Sequence, residues 1–258
     1  MSEANRPREI LRVENLKKRF GAVQALKGVN LHVSSGEVLA LVGDNGAGKS
    51  TTIKMVSGVD QPDEGTISIE GRAVKLNGPS IAEALGIQTV YQDLALCDNL
   101  DIVSNLFLGK ELKRPLIPGV LSVVDKEEME KRAVPVLDSL GIHLPPLTTP
   151  VASLSGGQRQ TVAVARAVLW GSKLVLLDEP TAALGVAQTR SVLNLIRTLA
   201  KKDIAVLVIS HNLTDVFQVA DRITVLRHGE TVAHYKNSEV TNEDVVAAIT
   251  GASRKVEM

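Results

Sequence analysis

Residues 43–51 read Gly43-Asp44-Asn45-Gly46-Ala47-Gly48-Lys49-Ser50-Thr51, and the reading of this stretch decides the fold. Gly43, Gly48, Lys49 and Ser50 occupy the fixed positions of a phosphate-binding loop, a glycine, four free positions, then Gly-Lys-Ser. The flanks matter as much as the letters. Val38 to Val42 is an unbroken apolar run that suits a buried strand, and Ser50 to Val56 suits a helix, with Ile53 and Val56 three apart. In such a strand–turn–helix unit the glycines let successive backbone N–H groups curl around a phosphate, and the helix N-terminus adds partial positive charge. Lys49 is placed to reach the β- and γ-phosphates and Ser50 to offer its hydroxyl to Mg²⁺. A glycine-rich turn that binds nothing is the competing reading, and the flanks argue against it. The expected ligands are a nucleoside triphosphate and Mg²⁺, with residues 43 to 51 as the nucleotide contact.

The remaining segments supply a framework for that loop. Ile10 to Val33 alternates short apolar stretches with Gly and Asn, and Asn30 and His32 sit between apolar neighbours at period two. Thr66 to Glu70 repeats the alternation, so a small antiparallel sheet is expected beside the nucleotide strand. Gly86 to Tyr91 reads as a core strand. Leu174 to Leu177 and Ile204 to Ile209 read as buried parallel strands. Between those two, Val192, Leu195, Ile196 and Leu199 form the stripe of a covering helix. Ile223–Leu226 and Thr231–Tyr235 predict a hairpin turning at His228-Gly229, and Val240 to Gly251 a closing helix. Strands alternating with helices predict an α/β chain with a mostly parallel core sheet.

The stretch from about 94 to 170 differs in character and is expected to be a helical subdomain. Within it Met129, Ala133, Val136, Leu137 and Leu140 share one helical face, and Gly141 follows as a stop. Pro135 falls inside that run and predicts a kink or two short helices. The domain itself is expected over 9–251, with a loose N-terminus at 1–8 and a tail at 252–258.

Totals narrow the function. Of 258 residues, 44% are hydrophobic and 22% charged, an ordinary balance for a chain with a proper core. Lysine plus arginine (29) equal aspartate plus glutamate (29), which argues against a nucleic-acid partner. The one cysteine, Cys97, reads as a packed thiol and points to a reducing compartment. No segment reaches the roughly 18 apolar residues of a membrane span. A cytoplasmic protein is expected, with any membrane role supplied through partners.

Two further motifs carry chemistry. Leu174 to Pro180 reads Leu-Val-Leu-Leu-Asp-Glu-Pro. It ends a buried strand in two carboxylates, at the end of the sheet where open α/β folds bind ligands. Asp178 is placed to hold Mg²⁺ opposite Ser50, and Glu179 to polarise a water for attack on the γ-phosphate. Leu154-Ser155-Gly156-Gly157-Gln158-Arg159-Gln160 opens a helix with free N–H groups, a hydroxyl and a dipole. A chain with one phosphate loop hardly needs a second phosphate-grasping helix for the same end of ATP.

These residues resemble the ATP-binding subunit of ABC transporters, over nearly the whole chain. Ser155, Gly156, Gly157 and Gln158 look like the family signature, and residues 43–50 and 174–179 match its two Walker motifs. The resemblance implies that the nucleoside triphosphate is ATP, that Gln92 in Val-Tyr-Gln-Asp is the metal-contacting Q-loop residue and that His211 in Val-Ile-Ser-His is the switch histidine contacting the γ-phosphate. It also implies that Phe20 stacks on adenine and that the signature acts in trans on the ATP of a second ATPase subunit. Tyr91 and Trp170 read instead as packing. One departure stands out: Thr181-Ala182-Ala183-Leu184-Gly185 ends in glycine where the family's D-loop usually carries the aspartate that reaches across the dimer.

Val-Tyr-Gln-Asp-Leu-Ala-Leu and Thr-Ala-Ala-Leu-Gly-Val are similar to the monosaccharide importers of the ribose, xylose and fructose type, in single-domain form. That resemblance implies a homodimer or a pair with a related subunit. It also implies transmembrane permease subunits, an extracytoplasmic sugar-binding protein, and a place on the inner face of the cell membrane. The alternative is an ABC-type ATPase with a ribosome or repair role. About a hundred residues without sustained heptads separate phosphate loop and signature, which disfavours the coiled-coil repair type. A single motif set disfavours the tandem translation factors, and the signature has no use in a kinase-like enzyme.

Overall fold

The computed structural model describes residues 8–117 and 120–252. In chain order its elements are β1 (Glu9–Phe20), β2 (Val23–Ser34), β3 (Val38–Gly43), α1 (Lys49–Val56), β4 (Glu64–Ile69), β5 (Arg72–Val74), α2 (Pro79–Ala84) and β6 (Ile87–Val90). Then come α3 (Ile102–Leu106), β7 (Lys113–Ile117), β8 (Leu121–Val124), α4 (Lys126–Ser139) and α5 (Gly156–Val168). The chain ends with β9 (Leu174–Asp178), α6 (Val186–Lys201), β10 (Ala205–Ile209), α7 (Leu213–Val219), β11 (Arg222–Arg227), β12 (Glu230–Lys236) and α8 (Asn242–Thr250). The chain divides into two compact units, one of Met1–Gln92, Ser172–Pro180 and Ile196–Met258, the other of Asp93–Gly171 and Thr181–Leu195.

The first unit is built on a ten-stranded sheet of order β5-β4-β1-β2-β12-β11-β3-β10-β9-β6. Its parallel half runs β11-β3-β10-β9-β6, and β3, every residue of which is buried, lies between β11 and β10. Strands covered on both faces read as continuous Val and Leu runs rather than alternations, which is why 38–43, 174–177 and 205–209 look alike in sequence. The antiparallel half, β1 with β2 and β4, and β4 with β5, buries Val29, Leu31 and Val33 on one face while Asn30 stays exposed. This half does not lie beside the nucleotide strand, as the sequence suggested. The β11–β12 hairpin stands between, and β12 joins β2 through the single pair Glu230 and Gly28. That hairpin turns at His228 and Gly229, both at positive φ (52° and 84°), as a two-residue turn demands.

The second unit is largely helical but not wholly so. β7 and β8 form a separate antiparallel ribbon that the helical reading of 94–170 missed. α4 corrects another expectation, since it runs as one helix through Pro135. The proline is exposed, so the carbonyl it leaves without an N–H partner faces water rather than the core. Met129, Ala133, Leu137 and Leu140 are buried as the face predicted, with Val136 half-buried at its margin. Trp170 packs edge-on against buried Phe107, ring centroids 5.3 Å apart, a contact worth about 0.5–1.5 kcal/mol beyond its buried area. Cys97 is a half-buried free thiol whose backbone N–H donates to Asn105 Oδ1. Among the described residues no helix is long and apolar enough to cross a membrane. The expected loose segment 1–8 lies outside the described residues save Arg8, which pairs with Glu70 at 2.9 Å, and the tail 252–258 lies outside save Ala252.

Candidate functional site: a phosphate loop and a paired carboxylate

The loop between β3 and α1 is held by its glycines. Gly43 has φ +155°, and a Cβ there would strike the Leu226 carbonyl. Gly48 has φ +107°, and a Cβ there would lie 2.7 Å from Leu26 Cδ2. Gly46, at φ +79°, faces open space. Gly48 is also the N-cap of α1, and no side chain caps that helix. The first N–H groups of α1 are therefore available to an anion. The loop curls on itself through Ala47 N–H to Asp44 O (3.1 Å) and Asn45 N–H to Asp44 Oδ1 (2.8 Å). Its outer side rests on the turn of the β11–β12 hairpin, where Gly229 N–H donates to Ala47 O (3.0 Å) and Lys27 N–H to Gly229 O (2.8 Å). Sequence reading found the hairpin but not this buttress; the signal was Gly229, whose Cβ would meet Ala25 O at 2.7 Å.

Lys49 is buried, and its ammonium donates to Gly43 O (2.8 Å) and Asp44 O (3.0 Å). Burial pulls its pKa down, while Glu179, Asp44 and Asp178 pull it back up. An ammonium has three donors, so the anchored lysine still has one to offer a phosphate. Ser50 is exposed and Thr51 half-buried on the first turn of α1.

Asp178 ends β9, paired in register with Ile209 of β10. Burial pushes its carboxyl up, Glu179 adds repulsion, and Lys49 works the other way. Glu179 follows in a left-handed conformation, φ +50°, with its N–H donating to Ile209 O (2.9 Å). A non-glycine residue in that region costs about 1–2 kcal/mol, and such strain gathers at functional sites. Its Oε2 lies 2.9 Å from His211 Nδ1. His211 is presented by a tight turn after β10, where Ser210 Oγ accepts from Asn212 N–H (3.0 Å) and Asn212 Oδ1 caps α7. The interactions that tie the site together thus run through Asp44, Lys49, Asp178, Glu179 and His211.

Gln92 lies exposed just past β6, next to Tyr91, whose hydroxyl meets Ser57 Oγ at 3.0 Å at the end of α1. Phe20 ends β1, 46% exposed, with Lys18 Nζ 5.3 Å from its ring centroid. For a metal, Ser50, Asp178 and Gln92 offer oxygen only, the donor type Mg²⁺ takes. Among the described residues no cluster of three or more His, Cys, Asp or Glu makes an all-protein cage.

In the second unit Ser155 is the N-cap of α5 in a complete capping box. Its Oγ accepts from Gln158 N–H (3.3 Å) and its own N–H donates to Gln158 Oε1 (2.9 Å). The box fixes the helix start, leaving the Ser155 hydroxyl hydrogen and the exposed Gly156 at the surface. Gly157 is buried, and a Cβ there would meet Gln188 Cβ and Cγ at 2.9 Å.

The comparisons agree with this geometry. The family model described as ABC transporter matches residues 26–182. The xylose/arabinose import ATP-binding protein of Sulfolobus acidocaldarius is 46% identical over 242 residues, covering 94% of each chain. The fructose import ATP-binding protein of Rhizobium meliloti is 46% identical over 245 residues with the same coverage. A solved ATP-binding cassette of an ABC transporter, in its ADP conformation, superposes with a TM-score of 0.79 at 28% identity, covering 95% of this chain and 96% of that one. Motifs, fold and kinship over nearly the whole length place the chain in one family: it belongs to the ABC transporters, as an ATP-binding subunit.

Proposed function

We propose that this chain is the ATP-hydrolysing subunit that powers import of a monosaccharide through a partner membrane permease. The observation that carries the chemistry is the Glu179–His211 pair at 2.9 Å beside buried Lys49. Lys49 and the free N–H groups of α1 bind the phosphates, and Phe20 stacks on adenine. Glu179 accepts the proton of the attacking water, and His211 orients that carboxylate and touches the γ-phosphate. Ser50, Asp178 and Gln92 hold Mg²⁺, which when bound neutralises charge on the β- and γ-phosphates. Two subunits close on ATP, the phosphate loop of one facing Ser155 to Gln158 of the other. A homodimer is the simplest assembly.

The sugar assignment rests on the two relatives, whose names describe xylose/arabinose and fructose import. It brings with it a pair of permeases, an extracytoplasmic sugar-binding protein, and a cytoplasmic site on the inner face of the membrane. The test is reconstitution in vesicles with candidate permeases and sugar-binding proteins from the same source. ATP consumption should rise with one pentose or hexose, and that sugar should accumulate. Hydrolysis indifferent to every sugar tried, with co-purification on ribosomes, would overturn the assignment.

A further inference from the structure

The exposed ring of Phe20 is not open on both faces. Lys18 Nζ stands over it, 5.3 Å from the centroid, inside the ~6 Å reach of a cation–π contact. A lone surface lysine would hold that position weakly, because fixing its long side chain costs rotamer freedom. Here three oxygens fix it. Nζ donates to Gln61 O (2.6 Å) and lies 3.2 Å from Asp60 Oδ1 and 3.3 Å from Asp63 Oδ1. Three acceptors match the three donors of an ammonium. The lysine side chain is only 12% exposed, so this is not an ordinary ion pair waving in solvent.

The oxygens that hold Lys18 belong to the chain leaving α1. Asp60 N–H donates to Lys54 O in the last turn of that helix (3.1 Å). Asp63 is clamped to β1 on either side of Lys18, its N–H donating to Lys17 O (2.9 Å) and its Oδ2 accepting from Arg19 N–H (2.7 Å). The same hairpin also meets the other end of α1. Lys18 pairs in register with Leu26, and Leu26 leaves no room for a Cβ on Gly48, the N-cap of α1. One short helix therefore reaches both ends of a bound nucleotide. Its N-terminus offers N–H groups and Lys49 to the phosphates, and the segment after its C-terminus fixes Lys18 against Phe20. A ring held in this way has one face left for a base. A ring without that tether would have to be ordered when the nucleotide arrives, which weakens binding.

We propose that Lys18 is a positioning residue for the nucleotide: held by Gln61, Asp60 and Asp63, it closes one face of Phe20 and presets the other for adenine. The proposal rests on the reading that Phe20 stacks on adenine. The test is equilibrium binding of Mg·ATP and, in parallel, of Mg·tripolyphosphate, which carries the phosphates without the base. Lys18→Met keeps the stem and removes the ammonium; ATP affinity should fall ~3–10-fold while tripolyphosphate affinity is unchanged. Asp60→Asn/Asp63→Asn leaves the lysine in place but loosens its tether, and should shift the two affinities in the same way. In a Phe20→Leu background Lys18→Met should have no further effect. Unchanged ATP affinity in Lys18→Met, when Phe20→Leu alone weakens ATP, would overturn the role of Lys18 and leave the stacking intact. Phe20→Leu with full ATP affinity would remove the stacking itself, and this proposal with it. Equal losses for ATP and tripolyphosphate, or the same loss with and without the Phe20 ring, would overturn the proposal by showing that Lys18 merely supports the fold.

Discussion

Glu179 Oε2 and His211 Nδ1 lie 2.9 Å apart, and the backbone that holds the carboxylate there sits at φ +50°. The two side chains come from the ends of adjacent parallel strands, β9 and β10, so the register that pairs Asp178 with Ile209 also sets their separation. The glutamate side chain is 15% exposed and the histidine 69%, so the carboxylate is sheltered while its partner can swing into solvent.

Glu179→Gln keeps the shape and removes the base. Hydrolysis should fall by ~10²–10⁴-fold, the usual contribution of a positioned general base, while ATP binding is retained. Phosphate release and nucleotide affinity measured on one preparation check both halves. Turnover near wild type would show that another group takes the proton. His211→Ala should reduce the rate with less effect on affinity, because the histidine acts through Glu179 and the γ-phosphate.

Lys49→Ala removes the phosphate contact and also the two bonds that anchor the ammonium to Gly43 O and Asp44 O. Hydrogen bonds to a charged group are worth about 1.5–3 kcal/mol each, so nucleotide affinity should drop at least ~10-fold. Isothermal titration with ATP checks it. Full affinity would mean the loop binds through its N–H groups alone.

Asp178 makes a pH-dependent prediction. Burial first, then Glu179, holds its carboxyl above the ordinary range. A carboxyl whose folded pKa exceeds its unfolded value takes up protons on folding, so its contribution to stability is present in acid and is lost as pH rises through the folded pKa. At neutral pH the ionised carboxylate is thus a cost to the fold, offset only in part by Lys49. Asp178→Asn should raise Tm at neutral pH, and the gain should vanish below the unfolded carboxyl pKa. Hydrolysis should fall by ~10²-fold or more with the loss of a metal-holding group. Thermal melts across pH check the sign; a Tm that drops at neutral pH would mean the carboxylate supports the fold after all.

Much of this was legible in the chain because strand, loop and helix signals coincide at the same residues. The runs at 38–42, 174–177 and 204–209 have the uninterrupted apolar character that only doubly covered strands need, and each was read as a buried strand, matching β3, β9 and β10 to within a residue at each end. What stayed hidden depends on distant contacts. The β7–β8 ribbon carries Pro115 and lacks alternation, so no period announced it. The support that Gly229 gives Ala47 joins residues far apart in sequence and leaves only a glycine as its trace. Pro135 misled for the opposite reason: a local rule against proline was overridden because that turn of α4 faces water.

Gly48→Ala tests the fit of the loop. The added Cβ would meet Leu26 Cδ2 at 2.7 Å in a backbone region alanine avoids, a combination of overpacking and strain that costs about 2–4 kcal/mol. Denaturant titration should show that loss, along with weaker ATP binding. A variant of unchanged stability would mean the β2 side chains yield more readily than their burial implies.

Gly185→Asp returns the carboxylate that the D-loop of this family usually carries. Gly185 precedes α6 as its N-cap, its N–H donating to Gln188 Oε1 at 3.0 Å, half of a capping box. Its φ lies outside the left-handed region, and a Cβ would meet Gln188 Oε1 at an ordinary 3.5 Å. Aspartate therefore fits, and as an N-cap it is better than glycine by a few tenths of a kcal/mol, so Tm should rise slightly. The rate of hydrolysis then becomes informative in the dimer. If the native glycine has released the coupling that an aspartate makes across the interface, ATP turnover in Gly185→Asp should become more strongly dependent on protein concentration than in wild type. If glycine serves only to start α6, the concentration dependence should be unchanged while Tm still rises, which confines the effect of residue 185 to its own helix.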